Sequence, residues 1–276
     1  MRNIISRLFQ KQQTHNTNQD NSHTQEIHIL KSALNEQNSY RRQNIVDFFK
    51  VFNALNDTSI EINGKTLNRL SRIAGTTLLE AAYIIKSLRE VEGIGGDWCE
   101  YGVAHGRTSA LLATIMLEAQ KERQLWLYDS FEGLPNPHSK DLLINDIYQR
   151  GSMEAYAGDL SFPEDHVLAE LDSVKPGRDY FHIVKGWITA ESLLENSPQK
   201  IAFAYRDMDF YQSTYDVLKL LVDRMPSGGI AIVDDYGFFS EGVRTAVSEV
   251  MAEHPNAFSL EQPYNDKFAV LKRISA

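Results

Sequence analysis

At 276 residues, with 42% hydrophobic and 24% charged residues, the chain is long enough for one large buried core and too ordinary in composition for a disordered or fibrous protein. A net charge of −9 and a pI near 5.4 exclude a duplex nucleic-acid binder, because no Lys/Arg stripe is available to neutralise phosphates. Cys99 is the single cysteine and no apolar run approaches the ~20 residues of a spanning helix, so the expectation is a disulfide-free, cytoplasmic protein without a transmembrane segment.

Residues 1–25 read as a weakly ordered tail. They open with a short apolar cluster (Ile4, Ile5, Leu8, Phe9) and continue as a polar stretch of Gln, Asn, Thr and His without periodicity. Residues 26–92 form a helical region. Ile45, Phe48, Phe49, Phe52 and Leu55 recur at helix spacing, as do Leu67, Leu70, Ile73, Ala74, Leu78, Ala81, Ala82, Ile85 and Leu88. This region is expected to lie on the main domain, cover its cleft or join subunits.

From residue 93 to 276 short apolar runs alternate with helical stretches. Strands are expected over 97–103, 124–130, 180–186, 200–207 and 229–235, and helices over 107–121, 164–172, 189–195, 211–224 and 241–253. Such alternation, with strands apolar on both faces, means an α/β fold with a parallel sheet covered on each side. Two further strands around Pro-Tyr-Asn-Asp make an antiparallel hairpin at the end. Residues 136–160 are a long polar connection of the kind that lies over an active site.

Ligands of open α/β sheets bind beyond the carboxyl ends of the strands, so those ends carry the chemistry. The first strand runs into "CEYGVAHGRTS", where Gly102 and Gly106 permit a tight turn before a helix that opens near Arg107 and Thr108. The Gly-x-Gly-x-x-Gly dinucleotide fingerprint is absent, which speaks against a dehydrogenase. Glu100 beside the turn suits a ligand with a cationic amino group. Asp129, at the end of the second strand, is placed either to grip a ribose diol or to cap a turn. Asp207 ends the fourth strand and Asp234 and Asp235 end the fifth. Adjacent carboxylates repel one another, and three at neighbouring strand ends form an oxygen-ligand site for a hard cation such as Mg²⁺.

The segments "DWCEYGVAHGRTS", "DSFEGLP", the Gly-Trp pair at 186–187, "RDMDFYQST" and "GGIAIVDDYG", in this order, resemble the macrocin O-methyltransferase-like family over roughly residues 66 to 272. The resemblance implies a class I S-adenosylmethionine (SAM) methyltransferase: a Rossmann-like, seven-stranded sheet with the last strand antiparallel, preceded here by a helical extension. It implies that Glu100, Gly102, Val103, Gly106 and Thr108 border the methionine part of SAM, that Asp129 and Ser130 hold its ribose and that Trp187 lies near its adenine. It also implies Mg²⁺ on Asp207, Asp234 and Asp235, with Asp207 as the base. The first loop departs from the family's usual Arg-Gly-Gly: this chain has His105, Gly106 and Arg107.

The reaction so implied is Mg²⁺-dependent methylation of a sugar hydroxyl, on a small-molecule or glycan substrate with vicinal hydroxyls; the N-terminal helices make a homodimer the expected assembly. The alternative is a metal-dependent glycosyltransferase using Asp207-x-Asp209. Among other polar residues, His105 and His138 are alternative bases, and His182 is expected in the core. Asp209 is expected to cap the helix at 211 or support the metal, and Arg206 to offset the carboxylates.

Overall fold

The computed structural model describes residues 19–119, 123–174, 179–262 and 266–274, with side chains from residue 28 onward. Three helices come first: α1 (Gln19–Asn56), α2 (Gly64–Leu70) and α3 (Leu78–Glu90). The alternating part follows as β1 (Asp97–Tyr101), α4 (Arg107–Glu118), β2 (Leu125–Asp129), α5 (Glu164–Asp172), β3 (Phe181–Lys185), α6 (Ala190–Glu195), β4 (Ile201–Arg206), α7 (Tyr211–Arg224), β5 (Ile230–Asp234) and α8 (Glu241–Glu253). The hairpin β6 (Phe258–Glu261) and β7 (Phe268–Arg273) closes the chain.

Among the described residues these strands make one seven-stranded sheet in the order β3-β2-β1-β4-β5-β7-β6. The pairings β3–β2, β2–β1, β1–β4 and β4–β5 are parallel; β7 runs antiparallel to both β5 and β6. Strands β4 and β5 are buried at every position, as strands covered on both faces must be. Alternation sends Trp98, Leu127, Phe203, Tyr205 and Ile232 to one face and Cys99, Tyr101, Ala204, Ala231 and Val233 to the other. The first face is closed by α1 to α5, the second by α6 to α8.

The helical region does not stand apart. Ile45, Phe49 and Phe52 of α1 and Ile84, Ile85 and Leu88 of α3 share one apolar cluster with the sheet. Rings run in sequence from α1 to the sheet: Phe52 meets Tyr83 edge-on at 5.4 Å, and Tyr83 meets Phe268 at the same distance. Leu55 and Ala74, although at helix spacing, lie exposed: Leu55 is at the last turn of α1, beyond the packed stripe, and Ala74 falls in the connection between α2 and α3, where the helical period is broken.

Two expectations change here. The polar stretch read as part of a tail turns helical at Gln19, since extending an existing helix costs far less than nucleating one and Gln and Glu extend it well; residues 1–18 lie outside the described residues. His182 is exposed rather than in the core, because β3 is the sheet's edge, where the ring stacks on Trp126 and bonds to Gln124.

Candidate active site

The strand order reverses between β1 and β4, and the carboxyl ends of these two strands are joined directly. The Asp207 amide donates to the Tyr101 carbonyl at 2.8 Å. Gly102 sits at φ +84°, and a Cβ there would lie 1.7 Å from the Asp207 carbonyl oxygen, so only glycine permits this approach. Gly106, at φ +74°, opens α4 and packs against the Val167 backbone.

Between these glycines the loop is held by Asp129. One carboxylate oxygen, Oδ2, accepts from the Val103 and Ala104 amides at 2.7 and 3.0 Å, and Oδ1 accepts from the Phe131 amide at 2.7 Å. The turn-capping reading of Asp129 is therefore realised. Ser130 organises the next turn, donating to the Gly133 carbonyl and accepting from the Glu132 amide. Trp187 stands beyond β3, adjacent to the end of β2 and 42% exposed, so its ring is available to a ligand. Thr108 is buried and its hydroxyl is engaged with Thr76 at 2.8 Å, which ties the start of α4 to the helical region.

Glu100 is 1% exposed, and its Oε2 has no hydrogen-bond partner among the described residues. Burial, reinforced by the negative charges of Asp207 and Asp129, pushes this carboxyl well above the usual range. An unsatisfied acceptor beneath the glycine loop fits a donor-bearing cofactor better than an anionic one.

On the other side of the switch point, oxygens of Asp207, Asp234 and Asp235 all lie within 4.8 Å of one another. It is the one such group of potential metal ligands among the described residues. Six-coordinate Mg²⁺ with bonds of about 2.1 Å spans about 4.2 Å between opposite ligands, so the trio fits a hard divalent ion after small side-chain adjustments. Asp235, and Asp209 nearby, have left-handed backbones at φ 55° and 61°, a strain that concentrates at functional sites. Burial and then the mutual repulsion of the acids raise Asp207, Asp209 and Asp234 above the ordinary carboxylate range.

Asp209 does not cap α7. It is linked by a hydrogen bond to Asp235, while the amide of Tyr211 donates to Asp141 Oδ1 at 2.8 Å, because the 136–160 connection brings a second acceptor to the helix start. Arg206 is fully buried between the acids, its guanidinium donating to the carbonyls of Asp234 and Phe210. His105 and His138 are held locally: His105 lies against Phe162 and His166, and His138 stacks on Tyr211. Burial, aided by Arg107, lowers the pKa of His105.

Three residues at this site escaped the sequence reading. Lys267, just before β7, donates to both oxygens of Asp234 at 2.9 and 3.0 Å and to Asp235 at 3.3 Å. Glu80 of α3 is fully buried, accepts from the Tyr205 hydroxyl at 3.2 Å and shares a hydrogen bond with Asp234. Asp141 also accepts from Ser240 and from the His138 amide, both at 2.8 Å, and so binds the 136–160 connection to the starts of α7 and α8. Only the capping pattern Thr77-x-x-Glu80 was visible as a local signal.

With the connection in place, Leu134, Met153 and Tyr156 pack on Phe210 and Phe239, which follow the two acid-bearing strand ends. The connection is thus packed on the segments that follow β4 and β5.

The sequence profile of the macrocin-O-methyltransferase (TylF) family matches residues 2–265. The chain belongs to this family. The match starts well before residue 66, where the motif resemblance began, because the helical region carries periodicity rather than distinctive motif residues.

Among curated relatives, the "8-demethyl-8-(2,3-dimethoxy-alpha-L-rhamnosyl)-tetracenomycin-C 4'-O-methyltransferase" of Streptomyces olivaceus is 29% identical over 160 residues, 57% of this chain and 59% of the relative. The mycinamicin III 3''-O-methyltransferase of Micromonospora griseorubida is 28% identical over 172 residues, 59% of this chain and 63% of the relative. The alignments thus span about three fifths of these relatives' length. Of solved structures, the O-methyltransferase NovP superposes with a TM-score of 0.60 at 24% identity, over 73% of this chain and 83% of that one. CalS11, a calicheamicin methyltransferase, gives 0.59 at 20% identity, over 85% and 91%. The macrocin-O-methyltransferase fold seen here is thus the class I methyltransferase fold, and the glycosyltransferase alternative is not favoured.

Proposed function

We propose that the protein transfers the methyl group of SAM to a hydroxyl of a sugar, with Mg²⁺ at Asp207, Asp234 and Asp235. The observation that carries this reading is the carboxylate trio at the ends of β4 and β5, abutting the glycine loop through the Gly102–Asp207 contact. The relatives' names support the substrate class, since they are O-methyltransferases of a rhamnosyl-tetracenomycin and of mycinamicin III.

SAM supplies a methyl group on a sulfonium that departs as a neutral thioether, so the protein need not protonate the leaving group. The demand falls on the acceptor hydroxyl. A divalent ion at the trio would favour ionisation of hydroxyls beside it, as it does for water. Asp207 takes the hydroxyl proton as the methyl carbon's bond to sulfur breaks and its bond to oxygen forms. Asp234 and Asp235, held by the strained turn after β5, orient vicinal hydroxyls, and fixing that geometry supplies much of the rate.

On the cofactor side, Glu100, Gly102, Val103, Gly106 and Thr108 frame the methionine portion. Asp129 and Ser130 address the ribose, and Trp187 the adenine. Asp129 does so while holding the loop, its oxygens having lone pairs beyond the amide bonds described. We propose in addition a cytoplasmic homodimer, with the N-terminal helices as the subunit contact. Its lone Cys99 is buried in β1, and no described helix is long and apolar enough to cross a membrane.

Mass spectrometry of candidate glycosides incubated with SAM and Mg²⁺ tests the activity as a gain of one methyl group. Asp234→Asn is expected to lower kcat by about 100-fold or more, the scale of removing one preorganised charge from a site. Unchanged activity of Asp234→Asn in chelator-treated protein would falsify the metal role.

A further inference from the structure

The carboxylates already hold a positive charge of the protein's own. Lys267 is 16% exposed, and its ammonium reaches both oxygens of Asp234 and one of Asp235. Topology delivers it there. Because β7 runs antiparallel to β5 with Phe268 opposite Asp234, the residue before β7 must stand at the end of the sheet where the acids are. Its carbonyl accepts from the Tyr236 amide at 2.9 Å, so the backbone is fixed beside the Asp234–Asp235 turn.

Both oxygens of Asp234 are therefore engaged by an ammonium that a metal ligand must release, at least in part. Two cations on the same carboxylate would repel strongly at this depth. Arg206 offers no substitute, since the hydrogen bonds of its guanidinium run to the carbonyls of Asp234 and Phe210. Lysine has a flexible four-carbon stem, and its ammonium already lies over the partly exposed ring of Phe238 at 5.1 Å, a contact it can keep as it moves outward from Asp234.

We propose that Lys267 is the resident counter-ion of the metal site, neutralising Asp234 and Asp235 without metal and swinging off Asp234 when a divalent ion binds. It thereby keeps the metal-free protein folded and makes the ion weakly held and exchangeable. The inference rests on the trio being a metal site.

The test is Mn²⁺ binding to the full chain by titration calorimetry, with thermal unfolding in the presence and absence of Mn²⁺. Lys267→Met is expected to bind Mn²⁺ at least about tenfold more tightly than the original protein, a conservative reading of the repulsion between cations about 4 Å apart. Its metal-free melting temperature should fall, and Mn²⁺ should restore it. Lys267→Arg, which keeps the charge, should bind no more tightly than the original. If Lys267→Met does not fold without metal, Lys267→Gln retains a hydrogen-bond donor and is expected to tighten binding in the same direction. Equal or weaker Mn²⁺ binding by the neutral variants overturns the counter-ion role and leaves the metal site standing. No Mn²⁺ binding by any of these proteins removes the metal site itself, and the proposal with it.

Discussion

Glu100 shows how one side chain can serve two ends that pull against each other. Its burial, with Oε2 unpartnered and the Ser109 hydrogen bond only partly compensating, favours the protonated form in the folded state, so its folded pKa lies above that of the unfolded chain. The folded state then binds more protons, and the associated stability is complete below the unfolded value and is lost as pH rises through the folded one. Glu100→Gln removes that dependence. Its melting temperature should exceed the original's by a margin that widens from pH 5 to pH 8, by roughly 2–4 °C for each kcal/mol relieved. Calorimetry should at the same time find weaker SAM binding. A margin that stays flat with pH would mean Glu100 is ionised in the fold. Glu100 and the three aspartates were legible in the sequence because each ends a strand, and a strand end can be read from an apolar run alone. Lys267 and Glu80 were not. Each is an ordinary charged residue beside a turn or on a helix, and only distant chain segments bring them to Asp234.

Among elements, the starts of α7 and α8 depend on a residue far away in the chain. Asp141 serves the orphan amide of Tyr211 and the Ser240 hydroxyl, and Ser240 in turn caps α8. Gly242 is required beside it, since a Cβ there would fall 1.9 Å from the Asp141 carboxylate. Asp141→Ala should cost about 1–3 kcal/mol through the lost cap and the buried donors left unpaired. Urea unfolding measures that cost, and limited proteolysis should cut faster within residues 136–160. Helices α5, α7 and α8 matched the expected ranges because their apolar periodicity and end signals are local. The tie through Asp141 was invisible because polar loops have no period to read.

For the molecule as a whole, the question is whether the N-terminal helices fold with the sheet or beside it. Phe52 is 2% exposed within the cluster that also holds Trp98, Phe203 and Phe268. Phe52→Ala should therefore lower the stability of the entire chain by about 3–5 kcal/mol, in a single urea transition followed by both fluorescence and circular dichroism. Two separate transitions, with the sheet's unaffected, would make residues 26–92 a unit of their own. Through Glu80 and the Thr76–Thr108 bond the same helices reach the site, so their loss should also disturb the acids of β5 and the start of α4.

The amino-acid sequence by itself determined the strand–helix order, the antiparallel finish, the glycine turn and the acidic strand ends. Each follows from patterns a few residues long: alternation, helical period, and the backbone freedom of glycine. Only the tertiary structure decided what neutralises those acids, what caps α7, and that α1 and α3 belong to the same core. These are meetings of segments far apart in the chain, and their partners are selected by the topology of β7, α3 and the 136–160 connection, for which no local pattern exists.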